Sequence, residues 1–393
     1  MNNNNSSKRQ IAILGSTGSI GTQALEVIDQ QSEVLEVFAL TANRNVELLI
    51  EQALRYRPAV VVVAHEPHYE RLKEALADTE TQVWAGAEAL CDVVRYEEVD
   101  MVLTAMVGYA GLAPTMAALK AGKAIALSNK ETLVVAGELI TQLSQQYQAP
   151  LIPVDSEHSA LFQCLVGEEA QSVERLILTA SGGPFRNHTA EQLAQVTLEE
   201  ALKHPNWDMG AKVTIDSATM MNKGFEMIEA RWLFDIEPER IDVVVHPESI
   251  IHSMVQYRDS SIKAQMGLPD MRLPIQYALT FPERKAAPLE RLDLARLGSL
   301  TFQAPDEARF PNLRLAYDAI AQGGNMPCIL NAANEIAVDR FVHHAISYLG
   351  ISRLIEQTME KVAFVAHPSY EQLQQTDHEA RQVALSLITN NKQ

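Results

Sequence analysis

The chain of 393 residues is 47% hydrophobic and 21% charged, and its formal net charge is −18. That much apolar side chain can form large buried cores, and the length predicts two or three domains. A negative charge of this size repels nucleic acid and anionic lipid, so the composition excludes a general nucleic-acid or membrane-surface binder. An anionic ligand must therefore bind in a local pocket that is rich in cations or N–H groups.

The cysteines and the first residues bear on where the protein works. Cys91, Cys164 and Cys328 are odd in number and lack the paired spacing of a zinc site or a disulfide framework. A reducing cytoplasm fits this pattern best. No stretch approaches the roughly 18 apolar residues that a membrane-spanning helix needs. We expect a cytoplasmic protein with a disordered, polar tail over Met1 to Gln10.

The chain from Gln10 to Val154 alternates short β-branched runs with longer amphipathic segments. This alternation predicts an α/β fold, a Rossmann-like doubly wound parallel sheet, which we place at residues 1–154. Within the first expected helix, Ile20, Ala24, Val27 and Ile28 recur at helical spacing and can cover the sheet. Strands are expected at Ile11–Leu14, Val34–Leu40, Ala59–Val63, Met101–Leu103, Ala124–Leu127 and Leu151–Val154.

The pattern changes after Val154, and residues 155–281 are expected to form a separate α+β domain with a helix from about Ala218 to Leu233. Its strands are expected at Glu174–Thr179, Val213–Asp216, Ile241–Val245 and Ser249–Gln256. Prolines and charges interrupt any periodicity over residues 282–311, which predicts a linker. Residues 312–393 then form a helical domain, with helices expected at Leu315–Gln322, Ala332–His344, Ser352–Phe364 and Tyr370–Thr389.

A glycine-rich turn, Gly15 to Gly21, follows the first strand and opens the first helix. Backbone N–H groups and the helix dipole at such a turn can hold a pyrophosphate. The spacing is Gly-x-x-Gly-x-x-Gly, so the motif is only moderately specific, and a tight strand-to-helix turn without a ligand is the alternative. The surrounding βαβ pattern favours a dinucleotide site.

The end of the second strand bears on which dinucleotide binds. NAD-preferring folds usually place an acidic residue there to bond the ribose 2′-hydroxyl, whereas this chain has Asn43, Arg44 and Asn45. No carboxylate repels a 2′-phosphate at this position, and Arg44 can supply the charge that it needs. We therefore favour NADP(H), with a solvated surface arginine as the alternative.

Acidic residues in two distant motifs suggest a metal site. Asp155 and Glu157 follow a predicted strand, where alternation in an extended chain would point both carboxylates to the same side. Glu226 supplies a third carboxylate. An all-oxygen set of this kind suits Mg²⁺ or Mn²⁺ far better than Zn²⁺.

The expected helix that carries Glu226 also carries Asn222 and Lys223, four and three residues earlier, so that all three share one face. With Ser217 and the turn that begins at Ser181, they offer the donors of a phosphate pocket. The alternative is a Lys223–Glu226 pair in solvent, which contributes only a few tenths of a kcal/mol.

Between these motifs, the segment from Lys203 to Gly210 combines proline, glycine and asparagine around Trp207. It is expected to be a mobile loop that closes over substrate as a lid. A tryptophan that pins the loop onto the core is an equally good interpretation. His158, His246 and His252 have no adjacent nucleophile or metal triad, so we interpret all three as supporting or structural residues.

Eight motifs in fixed order resemble the 1-deoxy-D-xylulose 5-phosphate reductoisomerase family across nearly the whole chain. They are GSTGSIG (15–21), NKE (129–131), PVDSEH (153–158), SGGPF (181–185), HPNWDMG (204–210), DSATMMNKG (216–224), HPESIIHSM (246–254) and NAANE (331–335). Each motif alone is weak or moderate evidence for the family, but the eight motifs together are highly specific.

The resemblance implies a homodimer that rearranges and reduces 1-deoxy-D-xylulose 5-phosphate to 2-C-methyl-D-erythritol 4-phosphate. The reaction uses NADPH and Mg²⁺ or Mn²⁺ and belongs to the non-mevalonate isoprenoid precursor pathway. Residues 1–154 would bind NADPH, and residues 155–281 would form the catalytic domain that binds metal and substrate.

The resemblance also assigns roles by matching motif. Metal binding falls to Asp155, Glu157 and Glu226, which together with Lys130 would be the catalytic residues. Substrate contacts fall to Lys130, Ser156, Glu157, Ser181, His204, Ser217, Asn222, Lys223 and Glu226. Cofactor contacts fall to Thr17, Gly18, Ser19, Ile20, Asn43, Arg44, Asn45, Asn129, Glu131 and Gly210. Two residues depart from the family pattern: Asn43, where glycine is frequent, and Asp208, where a small hydroxyl residue is common.

The residues alone, without the family, support only a metal-assisted NADP oxidoreductase that acts on a phosphorylated compound. A semialdehyde or sugar-phosphate dehydrogenase that reduces without rearrangement is the closest rival. A nucleotide-sensing regulator that kept the Rossmann domain and lost the chemistry is a rival from another class. That regulator would have no reason to retain three carboxylates and a lid.

Overall fold

The computed structural model of the chain describes residues 8–207 and 209–390. These residues form two compact units. The first unit contains residues 8–129, 140–159 and 270–289, and the second contains the remaining described residues. Both units are discontinuous in sequence. No helix of the described residues is both long and apolar enough to cross a membrane.

The first unit is built on a seven-stranded sheet in the order β4-β3-β2-β1-β5-β6-β7, in which every neighbouring pair is parallel. β3 consists of four buried valines, because a parallel strand covered on both faces favours β-branched apolar residues. The strands are β1 (Arg9–Leu14), β2 (Leu35–Ala42), β3 (Val60–Val63), β4 (Gln82–Ala85), β5 (Met101–Thr104), β6 (Ala124–Leu127) and β7 (Leu151–Pro153).

Helices follow the strands of the first unit. Ala24, Val27 and Ile28 are buried on α1, as their helical spacing predicts, whereas Ile20, in the first turn, is only half-buried. The helices are α1 (Ser19–Gln30), α2 (Val46–Tyr56), α3 (Tyr69–Ala75), α4 (Ala87–Val93), α5 (Leu112–Lys120), α6 (Lys130–Gln146), α7 (Ser156–Leu165) and, from later in the chain, α12 (Arg272–Thr280). The first ten residues of α6, 130–139, belong to the second unit, as do residues 160–165 of α7.

The second unit contains a four-stranded sheet in the order β11-β10-β8-β9. β8 pairs parallel with β9 and antiparallel with β10, and β11 pairs antiparallel with β10. β8 is largely buried, whereas β11 is mostly exposed. The strands are β8 (Val173–Ala180), β9 (Ile241–Val245), β10 (Ile251–Tyr257) and β11 (Ile262–Met266).

Helices of the second unit share one apolar cluster, in which Phe225, Leu330 and Ile351 are fully buried. Burial of such side chains contributes roughly 1.5–3 kcal/mol each, which holds the helices of the C-terminal part against α11. The helices are α8 (Ala190–Leu193), α9 (Leu198–Ala201), α10 (Ala211–Ala218), α11 (Met221–Leu233), α13 (Leu294–Leu297), α14 (Pro311–Gln322), α15 (Met326–Val342), α16 (Tyr348–Lys361) and α17 (Tyr370–Asn390).

The expected fold class is confirmed: a parallel α/β sheet, an α+β region and a helical C-terminal part are all present. The tail expected over Met1 to Gln10 is wrong at its end, because Arg9 and Gln10 pair with Leu35 and Glu36 as the start of β1. Residues 1–7 lie outside the described part of the chain.

One expected strand, Val213–Asp216, is wrong. These residues lie within α10, which begins after Gly210. The β-branched side chains suggested a strand, but the hydroxyl of Thr214 donates to the carbonyl of Gly210 in the preceding turn, a bond that is compatible with a helix. β4 and β11 were not predicted, because both mix polar with apolar residues and neither is buried.

Candidate active site

The glycine-rich turn lies between β1 and α1, as predicted. Gly15 has a φ of +89°, and a Cβ at this position would lie 2.7 Å from the carbonyl oxygen of Ala105. A Cβ at Gly21 would lie 2.3 Å from the carbonyl oxygen of Gly15. Both positions therefore require glycine, because any side chain would collide with backbone atoms.

The amino terminus of α1 is shaped for an anion. Gly18 is the N-cap residue, no described side chain caps the helix, and its first turn carries no acidic residue. The first N–H groups of the helix and its dipole therefore remain available to a negative ligand. β1 lies between β2 and β5, where the strand order reverses, and this switch point is where open α/β sheets bind ligands.

Residues not predicted from the sequence hold this turn in place. The backbone N–H of Gly15 donates to the hydroxyl of Thr41, at 3.0 Å. The hydroxyl of Ser16 donates to Oε1 of Gln52 at 2.7 Å, and Nε2 of Gln52 donates back to the carbonyl of Ser16 at 2.9 Å. Gln52 is a buried polar residue on the apolar face of α2, which is the signal that sequence reasoning overlooked.

Asn43, Arg44 and Asn45 are exposed directly after β2. Asn45 is the N-cap residue of α2, where its side chain accepts a hydrogen bond from the N–H of Leu48 at 3.4 Å. This cap gives Asn45 a local structural role. Arg44 lies at the carboxyl end of the second strand, the place where the sequence predicts contact with a 2′-phosphate.

Asn129 is buried after β6 and organises the loop that follows β5. Its side-chain amide donates to the carbonyl oxygens of Met106 and Gly108, at 2.6 Å and 3.0 Å. Two bonds to one loop fix its path at the carboxyl edge of the sheet, beside the expected nicotinamide end of a dinucleotide.

Asp155, Ser156 and Glu157 lie in the first unit, between β7 and the first turn of α7. The extended conformation expected for Asp155 and Glu157 is wrong, because Glu157 lies in α7 rather than in a strand. Their carboxylate oxygens nevertheless lie within 4.8 Å of each other, so the two side chains converge as predicted. The hydroxyl of Ser156 donates to Oε2 of Glu157, at 2.6 Å. His158 is fully buried, with Nδ1 3.9 Å from Oδ1 of Asp155.

A buried polar cluster lies on α11 of the second unit. Nζ of Lys130 lies 2.9 Å from Oδ1 of Asn222 and 3.1 Å from Oε1 of Glu226. Asn222 and Lys223 also donate to the Glu226 carboxylate. Lys223 is 4% exposed and Glu226 is 1% exposed, so the alternative of a pair in solvent is wrong. Asn222, Lys223 and Glu226 share one helix face, as their spacing predicts.

The turn that begins at Ser181 packs on the end of α10. A Cβ at Gly183, where φ is +67°, would lie 2.7 Å from the carbonyl oxygen of Ser217. The N–H of Gly183 donates to the hydroxyl of Ser181, at 3.2 Å. Both serines are partly accessible to solvent, and their hydroxyl groups can donate to a bound oxyanion.

His204 ties the expected lid to this turn. Its Nδ1 accepts hydrogen bonds from the N–H groups of Asn206 and Trp207, at 3.2 Å and 3.0 Å, so the ring proton is on Nε2. Nε2 lies 3.1 Å from the hydroxyl of Ser181. Burial, with a smaller contribution from Arg186, lowers the pKa of His204 to about 4. The ring is therefore neutral near pH 7.

The HPES segment, residues 246–249, anchors the same loop. Nδ2 of Asn206 donates to the carbonyl of Pro247 and to the hydroxyl of Ser249, each at 2.8 Å. His246 is fully buried, and its Nε2 accepts from the N–H groups of Ile250 and Ile251, which confirms the structural interpretation of this histidine. Asp208, one of the two departures from the family pattern, lies outside the described residues.

Glu131 and Lys212 form a second buried polar group in this unit. Nζ of Lys212 lies 2.5 Å from Oε1 of Glu131 and 3.0 Å from Oδ2 of Asp216. Burial acts to raise the pKa of Glu131, but its ion pair and hydrogen bond with Lys212 outweigh burial and hold that pKa below the ordinary value. Lys212 was missed because its segment was expected to be a strand.

The parallel sheet, its glycine-rich turn at the strand-order switch and the buried cluster of carboxylate, amide and ammonium groups define an α/β oxidoreductase of the dinucleotide-binding class.

Comparison with known proteins narrows this class. The model of 1-deoxy-D-xylulose 5-phosphate reductoisomerase matches residues 11–137, and the models of its C-terminal domains match residues 151–234 and 266–383. The chain therefore belongs to the 1-deoxy-D-xylulose 5-phosphate reductoisomerase family.

Relatives of known name agree over nearly the full length. The 1-deoxy-D-xylulose 5-phosphate reductoisomerase of Bacteroides thetaiotaomicron is 62% identical over 381 residues, which cover 97% of this chain and 98% of that protein. That of Porphyromonas gingivalis is 58% identical over the same shares.

Solved structures agree equally well. The reductoisomerase of Zymomonas mobilis in complex with NADPH has a TM-score of 0.92 at 45% identity, covering 97% of this chain and 99% of that chain. A DOX-P reductoisomerase in complex with NADPH, fosmidomycin and magnesium also has a TM-score of 0.92, at 39% identity, covering 98% of this chain and 99% of that one.

Proposed function

We propose that the chain converts 1-deoxy-D-xylulose 5-phosphate into 2-C-methyl-D-erythritol 4-phosphate, using NADPH and a divalent metal ion, in the non-mevalonate isoprenoid precursor pathway. The observation that best supports this proposal is the largely buried cluster of Lys130, Asn222, Lys223 and Glu226. Bringing two lysines, an asparagine and a glutamate from α6 and α11 into one largely buried cluster costs stability, so a binding role explains the cluster better than packing does.

Asp155, Glu157 and Glu226 are proposed to hold the metal ion. The donor set fits Mg²⁺ or Mn²⁺, because all its donors are carboxylate oxygens and hard divalent cations prefer such ligands. The Glu226 carboxylate is buried and fixed by several donors, and Glu157 is held by Ser156, so both carboxylates are oriented in advance. When bound, the ion supplies a Lewis acid for the substrate carbonyl and hydroxyl oxygens.

The phosphate of the substrate is proposed to bind Ser181, Ser217, Asn222 and Lys223. On a chain with a net charge of −18, a phosphate needs local donors of this kind. Ser156, Lys130 and His204 would contact the rest of the substrate. The neutral ring of His204 donates toward Ser181, a contact that would link the expected lid to the proposed phosphate pocket.

NADPH is proposed to lie along the carboxyl edge of the parallel sheet, where it supplies the hydride that reduces the rearranged aldehyde. Thr17, Gly18, Ser19 and Ile20 would bind the pyrophosphate at the open amino terminus of α1. Asn43, Arg44 and Asn45 would bind the 2′-phosphate. Asn129, Glu131 and Gly210 would line the nicotinamide end.

The structure of the product distinguishes the proposed reaction from that of a dehydrogenase that reduces the substrate without rearrangement. Direct reduction of the ketone leaves the methyl group beside a carbon that bears hydrogen, which gives a doublet in the ¹H NMR spectrum. Rearrangement places the methyl group on a carbon without hydrogen, which gives a singlet. We expect the singlet from the purified chain with substrate, NADPH and Mg²⁺. A doublet would contradict the proposal in favour of the dehydrogenase.

We also propose that the protein works in the cytoplasm and that it does so as a homodimer. The two copies would assemble through β11. β11 lies at the edge of its sheet, and no described strand pairs with its outer side. Ile262 and Met266 are 53% and 37% exposed on this strand. An open, partly apolar edge favours pairing with a second copy of the same strand.

A further inference from the structure

Lys212 has an unusual environment for a lysine. Its ammonium group lies between the carboxylates of Glu131 and Asp216, at 2.5 Å and 3.0 Å, and 4.9 Å from the centre of the Phe225 ring. Glu131 and Asp216 are 5% and 1% exposed. One cation thus bridges two buried carboxylates beside an aromatic core residue.

The two ends of this bridge lie next to residues of the site. Glu131 follows Lys130, whose ammonium group contacts Asn222 and Glu226 on α11. Lys212 comes two residues after Gly210, the N-cap residue of α10. The Glu131–Lys212 pair therefore fixes the start of α6 against the start of α10.

A third helix supports the bridge from behind. Nδ2 of Asn334 on α15 donates to Oδ1 of Asp216 at 2.8 Å, while Lys212 occupies Oδ2 of the same carboxylate. Asn334 is fully buried. It belongs to the NAANE motif, whose next residue, Glu335, pairs with Arg381 of α17 at 2.7 Å. The C-terminal helices thereby orient Asp216, and Asp216 orients Lys212.

Stability alone does not explain this arrangement. Replacing a buried ion pair by well-packed apolar residues is often neutral or stabilising, because desolvation of the charges offsets their attraction. Here two carboxylates share one ammonium group, so the buried set carries a net negative charge, which is a further cost. Buried charges that add little to the stability of the fold but hold side chains in fixed orientations are suited to positioning those side chains.

We propose that Lys212 is a positioning residue that holds Glu131 and the start of α10 in place for the nicotinamide end of the cofactor. The inference rests on the proposed function, in which Glu131 and Gly210 line that cofactor. Asn334 acts on the same geometry through Asp216.

The test compares Lys212→Met and Lys212→Arg with Lys361→Met, an exposed control on α16. We expect Lys212→Met to raise the KM for NADPH by about 10- to 100-fold, as loss of a hydrogen bond to a charged group predicts. The KM for 1-deoxy-D-xylulose 5-phosphate should change much less. Lys212→Arg should recover most of the NADPH affinity, and the control should match the unmodified protein.

A double variant, Lys212→Gln with Asp216→Asn, keeps the net charge of the buried set. It tests the same inference if Lys212→Met fails to fold. We expect it to unfold at nearly the unmodified temperature and still bind NADPH weakly, as followed by quenching of tryptophan fluorescence. Unmodified NADPH affinity in the folded double variant, or equal rises in both KM values, would overturn the inference. If the unmodified chain itself fails to bind NADPH, the proposed function fails instead.

Discussion

The carboxylate of Glu226 has two roles in the proposed site. It accepts hydrogen bonds from lysine and asparagine side chains, and it is also a proposed metal ligand. We expect Glu226→Gln to lower turnover by more than roughly 100-fold, the upper end of the cost of losing even an indirect metal partner. The amide removes the charge that the ion needs. NADPH affinity should stay nearly intact, since α1 is unaffected.

The measurement for this variant is turnover as a function of Mg²⁺ or Mn²⁺ concentration, with NADPH binding followed separately. Glu237→Gln is a matched control, because Glu237 is an exposed residue of the same unit. Unchanged metal dependence in Glu226→Gln would count against Glu226 as a ligand.

The lowered pKa of His204 predicts a pH dependence in the loop that is expected to form a lid. Its pKa is lowered from 6.5 to about 4 by burial and Arg186, so folding favours the neutral ring. The contribution of this ring to lid order is therefore complete above pH 6.5 and is lost as the pH falls from 6.5 through 4. Protonation of Nδ1 would place a hydrogen against the N–H groups of Asn206 and Trp207.

Fluorine NMR of protein labelled with 5-fluorotryptophan can follow Trp207, one of three tryptophans in the chain. We expect its signal to change below pH 6, with a midpoint between 4 and 5. His204→Gln, which does not titrate, should abolish this transition. A midpoint near pH 6.5 in the unmodified protein would show that His204 titrates as an exposed histidine and would refute the account of the lid.

The shared helix face of Asn222, Lys223 and Glu226 could be predicted from the sequence, because the three residues lie within five positions and helical spacing places them together. Lys212 and Gln52 could not. Their partners Glu131 and Ser16 lie 81 and 36 positions away, and only the folded chain brings them into contact. The local signals are a glutamine on the apolar face of α2 and a lysine directly before the β-branched residues 213–215, and neither identifies its partner.

At the scale of single elements, Gly21 shows how tertiary contact reverses a local preference. Alanine in place of glycine within a helix normally stabilises it by about 1 kcal/mol. On α1 the added Cβ would lie 2.3 Å from the carbonyl oxygen of Gly15. We therefore expect Gly21→Ala to lower the free energy of unfolding by about 1–3 kcal/mol, as overpacking does, and to weaken NADPH binding.

Denaturant unfolding of Gly21→Ala measures this effect, and Gly18→Ala is the control. A Cβ at Gly18 would meet its nearest atom at 3.4 Å, which is ordinary contact. Its stability should fall by no more than about 1 kcal/mol, because alanine is a poorer N-cap residue than glycine. A Gly21→Ala protein as stable as the unmodified chain would contradict the close approach of α1 to the turn.

Buried apolar strands were predicted well even where they are short, whereas the exposed strand β11 was not predicted. β6 and β9 were expected at the bounds that they have, since each is an apolar run between turn residues. β11 alternates exposed apolar and polar residues at a sheet edge, so its sequence lacks the signal of burial. α10 was mistaken for a strand because Val213, Thr214 and Ile215 are β-branched, and tertiary contacts outweighed that preference.

At the scale of the whole molecule, assembly through β11 predicts the result of a charge substitution. Ile262→Glu combined with Met266→Glu places carboxylates on the proposed interface, where like charges from two copies would meet. We expect the double variant to run at half the molar mass of the unmodified protein in size-exclusion chromatography with light scattering. Leu294→Glu, at a residue that is 63% exposed elsewhere in the same unit, is the control. An unmodified protein that is itself monomeric would contradict the proposal.

The most direct measurement is the absorbance of NADPH in the presence of purified protein and 1-deoxy-D-xylulose 5-phosphate, with Mg²⁺ or Mn²⁺ and again after chelation by EDTA. The proposed function predicts oxidation of NADPH that requires both substrate and metal and that returns when metal is restored. Binding of NADPH without oxidation under any metal condition would contradict it and would leave a nucleotide-sensing protein as the leading explanation.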